Sequence, residues 1–196
     1  MIVWLTGLSG AGKTTLGRLV YAELLARTPR VEFLDADTLR GGINRDLGFS
    51  RQDREENVRR IGYIAALLSR HHVIAIVAAI APYRSLREEI RKITEHFIEV
   101  HVDAPLEVCE KRDPKGLYRK ARAGEISLFT GIDDPYEAPL MPEVVCQTNK
   151  ESAFQSAARI VTCIRSVLDK EAKRYSIKGE SRDSIESEVS VAWPSP

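Results

Sequence analysis

The chain has 196 residues, of which 43% are hydrophobic and 29% charged, and its formal net charge is +1. This length predicts one domain with a sizeable core, and the near-neutral charge gives no electrostatic case for nucleic acid or an anionic membrane surface as a partner. No apolar stretch approaches the ~20 residues that span a bilayer. Three cysteines that are far apart form neither a metal-ligand spacing nor a disulfide framework. We therefore expect a cytoplasmic protein.

The first predicted strand, residues 2–5, leads into a glycine-rich segment that reads Gly7-Leu-Ser-Gly-Ala-Gly-Lys-Thr-Thr15. This is G-x-x-x-x-G-K-T between a strand and a helix, the context in which the motif is specific for phosphate. Glycines allow a concave backbone whose N–H groups point at phosphate oxygens, and the following helix adds its N-terminal dipole. We expect Lys13 to reach the β and γ phosphates and Thr14 to bind Mg²⁺. The residues predicted to bind a nucleoside triphosphate here are Gly7, Ser9, Gly10, Ala11, Gly12, Lys13, Thr14 and Thr15.

The rest of the chain alternates between helical and strand patterns. A first helix is predicted over residues 13–27. Further strands are predicted at 31–34, 73–80, 97–102 and 144–146, and further helices from about 53, 85, 105 and 152. This alternation predicts an α/β protein with the P-loop NTPase fold, a parallel β-sheet with helices on both faces.

The composition changes near residue 176, where Ser and Glu become frequent. We expect a P-loop domain over residues 1–175 and a flexible tail over 176–196. A docked tail is the alternative, because Val189, Val191 and Trp193 offer apolar surface.

Asp35 and Asp37 follow the second predicted strand directly. Ligands of parallel sheets bind outside the carboxyl ends of the strands, and two carboxylates two residues apart in an extended segment point to the same side. There they could accept a proton from a substrate hydroxyl or hold Mg²⁺. A solvated turn is the alternative, because Asp is common in turns.

A basic and amide-rich stretch follows and includes one aromatic residue, Phe49, in a turn. Its arginines could bind phosphate or sulfate in a bidentate way, and Phe49 could stack on a base. An exposed helix face balanced by glutamates, with Phe49 in ordinary packing, is the alternative. The basic and amide residues are Arg40, Asn44, Arg45, Arg51, Arg54, Asn57, Arg59 and Arg60.

Residues 109–125 carry six basic side chains and include Gly116 and Gly124. This composition suits a mobile basic lid that closes over the phosphates, excludes water and supplies positive charge. A solvated helix would have the same composition. The six basic residues are Lys111, Arg112, Lys115, Arg119, Lys120 and Arg122.

Taken together, these segments resemble the adenylylsulfate kinase family over about residues 2–170. Besides the P-loop, the resemblance rests on Gly42-Ile-Asn-Arg-Asp-Leu-Gly-Phe-Ser50, Arg112-Asp-Pro-Lys-Gly-Leu-Tyr118 and Phe129-Thr-Gly-Ile-Asp-Asp-Pro-Tyr-Glu137. It implies transfer of the γ-phosphate of ATP, with Mg²⁺, to the 3′-hydroxyl of adenosine 5′-phosphosulfate (adenylylsulfate). The products would be ADP and 3′-phosphoadenylylsulfate, and the family suggests a homodimer.

The resemblance also implies roles for single residues. Lys13, Asp35 and Asp37 would be catalytic, Thr14 and Asp35 would hold the metal ion, and Arg112 would join the P-loop in binding ATP. Phe49 and Phe129 would sandwich the adenine of adenylylsulfate. The residues implied to bind adenylylsulfate are Asp37, Arg40, Asn44, Phe49, Arg54, Asn57, Ile80, Ala81, Lys115, Leu128 and Phe129.

The chain departs from the family pattern at several positions. It has Ala36 and Thr38 in place of the usual Gly and Asn, Ala81 in place of Ser, and Ser127-Leu128 in place of Lys-Gly. A hydrogen bond or phosphoenzyme role through a serine at position 81 is excluded, whereas direct transfer is not. Two alternatives stay open: a P-loop kinase for another small hydroxylated substrate, and a non-catalytic nucleotide-binding paralogue.

Overall fold

The computed structural model describes residues 1–177. Within them the strands are β1 (Ile2–Thr6), β2 (Val31–Asp35), β3 (Ile74–Ala78), β4 (Phe97–Asp103) and β5 (Val144–Gln147). They form a five-stranded sheet in the order β2-β3-β1-β4-β5, and every neighbouring pair is parallel. The predicted parallel sheet is therefore confirmed. The predicted tail lies outside the described residues, apart from residues 176 and 177.

The helices are α1 (Lys13–Leu25), α2 (Ala36–Arg40), α3 (Arg51–Arg70), α4 (Arg84–Lys92), α5 (Leu106–Arg112), α6 (Leu117–Arg122) and α7 (Ala153–Ile177). The short helices α2 and α6 were not predicted as separate elements. The first helix ends two residues earlier than predicted, and the strand predicted over 73–80 ends at Ala78, so that residues 79–81 leave the sheet. None of the helices in residues 1–177 is long and apolar enough to cross a bilayer.

The central strand β1 shows how the core is built on both faces of the sheet. Its residues are all buried, and Val3 and Leu5 belong to a cluster with side chains of α1 and α7, whereas Ile2 and Trp4 belong to one with α3 and α4. Alternate side chains of a strand point to opposite faces. A continuous apolar run is thus what a parallel strand covered on both faces requires.

The helices α2 and α3 begin after residues with capping side chains. Asp35 precedes α2, and its carboxylate accepts hydrogen bonds from the backbone N–H groups of Asp37 and Thr38. Ser50 precedes α3 and forms a capping box with Asp53. These side chains satisfy N–H groups that have no partner inside the helix. Since β2, β3 and β1 are adjacent, the segments that follow them meet at one edge of the sheet.

Candidate active site

A cavity of about 940 Å³ opens where β1, β2 and β3 end. This volume lies near the top of the range typical of small-molecule sites. Most of the predicted site residues line the cavity, whereas Gly7, Asn44 and Leu128 do not. The predicted residues that line it are Ser9, Gly10, Ala11, Gly12, Lys13, Thr14, Thr15, Asp35, Asp37, Arg40, Phe49, Arg54, Asn57, Ile80, Ala81, Arg112, Lys115 and Phe129.

The glycine-rich loop forms one wall of the cavity. Gly10 and Gly12 have φ angles of 74° and 109°, a region that favours glycine, and α1 begins immediately afterwards at Lys13. The Lys13 ammonium donates hydrogen bonds to the carbonyl oxygens of Gly7 (2.9 Å) and Leu8 (2.7 Å). Burial lowers the pKa of Lys13 to about 8, although Asp37 opposes this shift. The loop and its lysine therefore form a compact cationic pocket.

Gly7 itself has a packing role. A Cβ atom at this position would lie 2.4 Å from the carbonyl oxygen of Val102, so only glycine allows the loop to pass this close to β4. Contact of Gly7 with phosphate stays a prediction.

Thr14 and Asp35 lie together at the bottom of the cavity. The Thr14 hydroxyl donates to Asp35 Oδ2 at 2.8 Å, and Asp35 Oδ1 caps α2 through the N–H of Asp37 at 2.9 Å. A hydroxyl and a buried carboxylate are hard oxygen donors, and Mg²⁺ usually combines one or two such protein ligands with phosphate oxygens and water. This pair therefore fits a magnesium ion bound mainly through a nucleotide.

Asp37 has different surroundings from Asp35. The expectation that residues 35–37 are extended is wrong, because α2 begins at Ala36 and places Asp37 in its first turn. Asp37 is exposed at the cavity and forms an ion pair with Lys115, which lies between α5 and α6. The lid segment thus contacts the start of α2, and both charges act on Lys13 of the glycine-rich loop.

The two predicted aromatic residues both border the cavity, but they differ in burial. Phe49 is 63% exposed, and the Arg40 guanidinium lies 4.6 Å from its ring centroid. Phe129 is only 7% exposed and packs edge-on against Tyr118, with ring centroids 5.0 Å apart. A base held between Phe49 and Phe129 would have to displace Arg40 or use the other face of Phe49.

Arg54 connects the segments that carry these aromatic residues. Its Nε donates to the carbonyl oxygen of Phe49 at 2.9 Å, and its terminal nitrogens donate to the carbonyl oxygen of Leu128 and to the Thr130 hydroxyl. Leu128 therefore contributes its backbone to this cluster. The predicted role of Arg54 as an anion-binding residue stays a prediction, since its guanidinium is engaged with the protein here.

Asn44 lies behind the cavity wall. It is fully buried, and its Nδ2 donates to Asn57 Oδ1 at 3.0 Å. Asn57 lines the cavity, so the structure gives Asn44 the role of orienting Asn57 and gives no support to the predicted direct contact with substrate.

The segment after β3 is held by a buried charge pair that the sequence analysis missed. Ala81 has a φ of 42°, and its carbonyl oxygen accepts a hydrogen bond from Arg87 at 2.6 Å. Arg87 also pairs with Glu99 at 2.6 Å and donates to the carbonyl oxygen of Glu137. The sequence did offer a sign of this pair, because a glutamate lies inside the apolar strand pattern Phe97-Ile98-Glu99-Val100. A buried charge requires a partner of opposite charge.

Comparison with known proteins gives matches over most of the chain. The sequence model of a family described as adenylylsulphate kinase matches residues 1–147. The chain is 58% identical to the adenylyl-sulfate kinase of Synechococcus sp. (strain JA-3-3Ab) over 164 residues, which cover 84% of this chain and 93% of that protein. It is 56% identical to the adenylyl-sulfate kinase of Microcystis aeruginosa over 158 residues, covering 81% and 87% of the two chains.

Comparison with solved structures also finds a kinase of this kind. The chain resembles the Mycobacterium tuberculosis APS kinase CysC in complex with AMPPNP and APS, with 44% identity and a TM-score of 0.80. The match covers 84% of this chain and 96% of that one.

Proposed function

The chain belongs to the adenylylsulphate kinase family, and we propose how its own residues carry out the transfer of the γ-phosphate of ATP to the 3′-hydroxyl of adenylylsulfate. One observation carries the proposal: the glycine-rich loop and the Phe49 and Phe129 side chains border the same cavity. Phosphoryl transfer depends mainly on positioning and charge neutralisation. A shared cavity can align one nucleotide's terminal phosphate with the sugar of another.

The ATP half of the site is built on the glycine-rich loop. Residues 10–15 bind the triphosphate, and Lys13 exchanges its two carbonyl partners for β- and γ-phosphate oxygens. Arg112, which donates to the carbonyl oxygens of Gly10 (3.2 Å) and Thr148 (2.7 Å), borders the cavity beside this loop. Thr14 and Asp35 hold the divalent metal ion, proposed to be Mg²⁺. When bound, this ion neutralises charge on the β and γ phosphates.

The acceptor half lies between α2, α3 and the lid. Phe49 and Phe129 hold the adenine, and Arg40, Arg54 and Lys115 supply positive charge for the phosphosulfate. The other proposed contacts are made by Asn57, Ile80, Ala81 and Leu128.

Asp37 accepts the proton of the 3′-hydroxyl in this proposal. Both oxygens of Asp35 are used, one by the Thr14 hydroxyl and the other by the N–H groups that begin α2. Asp37 presents its carboxylate to the cavity from an exposed position, where Lys115 is its direct ion-pair partner. A general base must reach the substrate proton, which favours Asp37.

The activity is tested with purified protein, ATP, MgCl₂ and adenylylsulfate, measuring ADP release and the phosphorylated product by anion-exchange chromatography. ADP should appear only when adenylylsulfate is present. Lys13→Ala should abolish turnover, whereas Lys170→Ala on the exposed surface of α7 should not. Turnover with a different hydroxylated acceptor alone, or binding of both nucleotides without product, would overturn the proposal and support one of the two alternatives.

We also propose that the protein is cytoplasmic, because its three cysteines are free thiols, and, from the family, that it is a homodimer. Sedimentation equilibrium of the purified chain should give twice the monomer mass of 22.0 kDa, and a monomer or a larger assembly would contradict the dimer.

A further inference from the structure

The backbone carbonyl oxygens of the glycine-rich loop are all occupied by donors of the protein. The Lys13 ammonium donates to the carbonyl oxygens of Gly7 and Leu8, and the N–H of Leu16 donates to that of Gly12. The carbonyl oxygens of the three residues between them accept from side chains that lie far away in the sequence: Tyr118, Arg112 and Thr148. The loop is therefore braced from outside by other elements of the fold.

Each of these bonds also sets the direction of an N–H group. In a trans peptide unit the N–H points away from the C=O of the preceding residue. The bond from the Tyr118 hydroxyl to the Ser9 carbonyl oxygen (3.0 Å) thus orients the Gly10 N–H. The bond from the Thr148 hydroxyl to the Ala11 carbonyl oxygen (2.7 Å) orients the Gly12 N–H in the same way. Oriented N–H groups are what a phosphate-binding loop offers to its ligand.

Tyr118 makes a second contact that links the loop to the other half of the cavity. Its ring packs edge-on against Phe129, with 5.0 Å between ring centroids, and the residue is 2% exposed. Burial raises the pKa of Tyr118, so the hydroxyl keeps its proton and remains a donor at neutral pH. Tyr118 does not line the cavity, so it acts on a ligand indirectly, through Ser9 and Phe129.

We propose that Tyr118 is a positioning residue for both nucleotides: its hydroxyl fixes the Ser9–Gly10 peptide for the phosphates of ATP, and its ring fixes Phe129 for the adenine of adenylylsulfate. This inference rests on the proposed division of the cavity into two nucleotide sites. It assigns the two functions to separate parts of one side chain, so that the hydroxyl can be removed while the ring is kept.

The test compares Tyr118→Phe, which removes only the hydroxyl, with Tyr118→Leu, which also removes the ring. Binding of Mg·ADP and of adenylylsulfate is measured by calorimetry, so the result does not depend on turnover. Tyr118→Phe should weaken Mg·ADP by about threefold to tenfold, the net worth of one hydrogen bond, and leave adenylylsulfate binding unchanged. Tyr118→Leu should weaken both ligands.

Thr148→Val supplies a second check on the ATP side, because it keeps the side-chain volume but removes the hydroxyl that donates to the Ala11 carbonyl oxygen and accepts from Arg112 at 3.1 Å. It should weaken Mg·ADP alone. Tyr63→Phe, on the exposed face of α3, is the matched control and should change neither affinity.

An unchanged Mg·ADP affinity in Tyr118→Phe, or an equal loss of affinity for both ligands, would overturn the proposal. If Tyr118→Leu does not fold, Tyr118→Phe still decides the hydroxyl function, and Tyr118→Met, which keeps more of the side-chain volume, then tests the ring function by the loss of adenylylsulfate affinity beyond that of Tyr118→Phe. A wild-type protein that binds neither ligand would contradict the proposed function itself.

Discussion

Arg54 donates a hydrogen bond from Nε to the backbone carbonyl oxygen of Phe49, 2.9 Å away. The same guanidinium donates to the carbonyl oxygen of Leu128, next to Phe129. One planar group therefore sets the spacing of the two segments that carry the aromatic side chains, a task that needs the fixed fork of donors found in arginine.

We expect Arg54→Lys to raise the KM for adenylylsulfate by about tenfold or more, because lysine offers a single flexible ammonium in place of the fork. The KM for ATP should change much less. Steady-state kinetics with each substrate varied in turn measures this split, and Arg70→Lys at the exposed end of the same helix is the control. Equal changes in both KM values would show that Arg54 supports the whole domain and has no selective role.

The two aspartates after β2 should respond differently to the same substitution. Asp35→Asn should weaken Mg·ADP binding, because it removes the charge of a proposed metal ligand, and should change the free energy of unfolding little, because Asn caps a helix about as well as Asp. Asp37→Asn should leave the free energy of unfolding within about 0.5 kcal/mol of wild type, as for other exposed positions, and should greatly lower kcat. Urea unfolding and kinetics on both variants measure these effects. A highly active Asp37→Asn variant would remove Asp37 as the base.

Some of these relationships follow from the sequence and others do not. The P-loop between an apolar strand and a helix predicts the ATP side of the cavity, and the apolar runs predict the parallel sheet. The helix α2 has five residues, too few for a periodic pattern, so residues 35–37 were expected to be extended. The Asp35 side chain could be recognised as a helix cap only from the fold.

The contacts that support the site from behind could not be predicted from the sequence either. Composition marks Tyr118 and Arg54 only as residues of a basic lid and a basic stretch. Their acceptors are the backbone carbonyl oxygens of Ser9 and Phe49. Every residue has a backbone carbonyl oxygen, so the sequence does not indicate which one a side chain will contact. By contrast, Asp37 and Lys115 were both predicted at the site from the family pattern, although their ion pair with each other was not.

The pKa of Lys13 leads to a prediction for nucleotide binding. In the free protein burial lowers this pKa to about 8 from 10.5, and the phosphates of a bound nucleotide should raise it again because opposite charges favour the ammonium. Below this pKa, Lys13 is charged in both states and contributes no pH dependence. Above it, binding must take up a proton, so the affinity for Mg·ADP should fall by up to about tenfold per pH unit.

Calorimetry in buffers of different ionisation enthalpy measures this proton uptake directly. Lys13→Met should bind more weakly and lose the pH dependence above the pKa. The affinity for Mg·ADP falls as the pH rises above this pKa, whereas the free energy of unfolding of the nucleotide-free protein should rise. Because the unfolded chain binds a proton that folded Lys13 has lost, stability from this group rises with pH between the two pKa values. An affinity for Mg·ADP that does not change across this range would contradict the assignment.

Variants of the buried pair Arg87 and Glu99 should distinguish effects on stability from effects on activity. Arg87→Met leaves the Glu99 carboxylate buried with Arg91 as its remaining partner, at 3.3 Å, and removal of one member of a buried pair costs about 3–5 kcal/mol. We expect a loss near the lower end of this range in urea unfolding. Adding Glu99→Leu removes the buried charge and should restore most of the free energy of unfolding, since an apolar pair of similar volume is often as stable.

Activity should not recover in this double variant. Arg87 also donates to the carbonyl oxygens of Ala81 and Glu137, and neither Met nor Leu replaces these bonds. Ala81, which lines the cavity and has a positive φ, would then lose the donor that holds its peptide group. A stable double variant with wild-type kcat/KM for adenylylsulfate would show that the pair serves folding alone, whereas a stable but impaired one would show that the fixed backbone at Ala81 is required for catalysis.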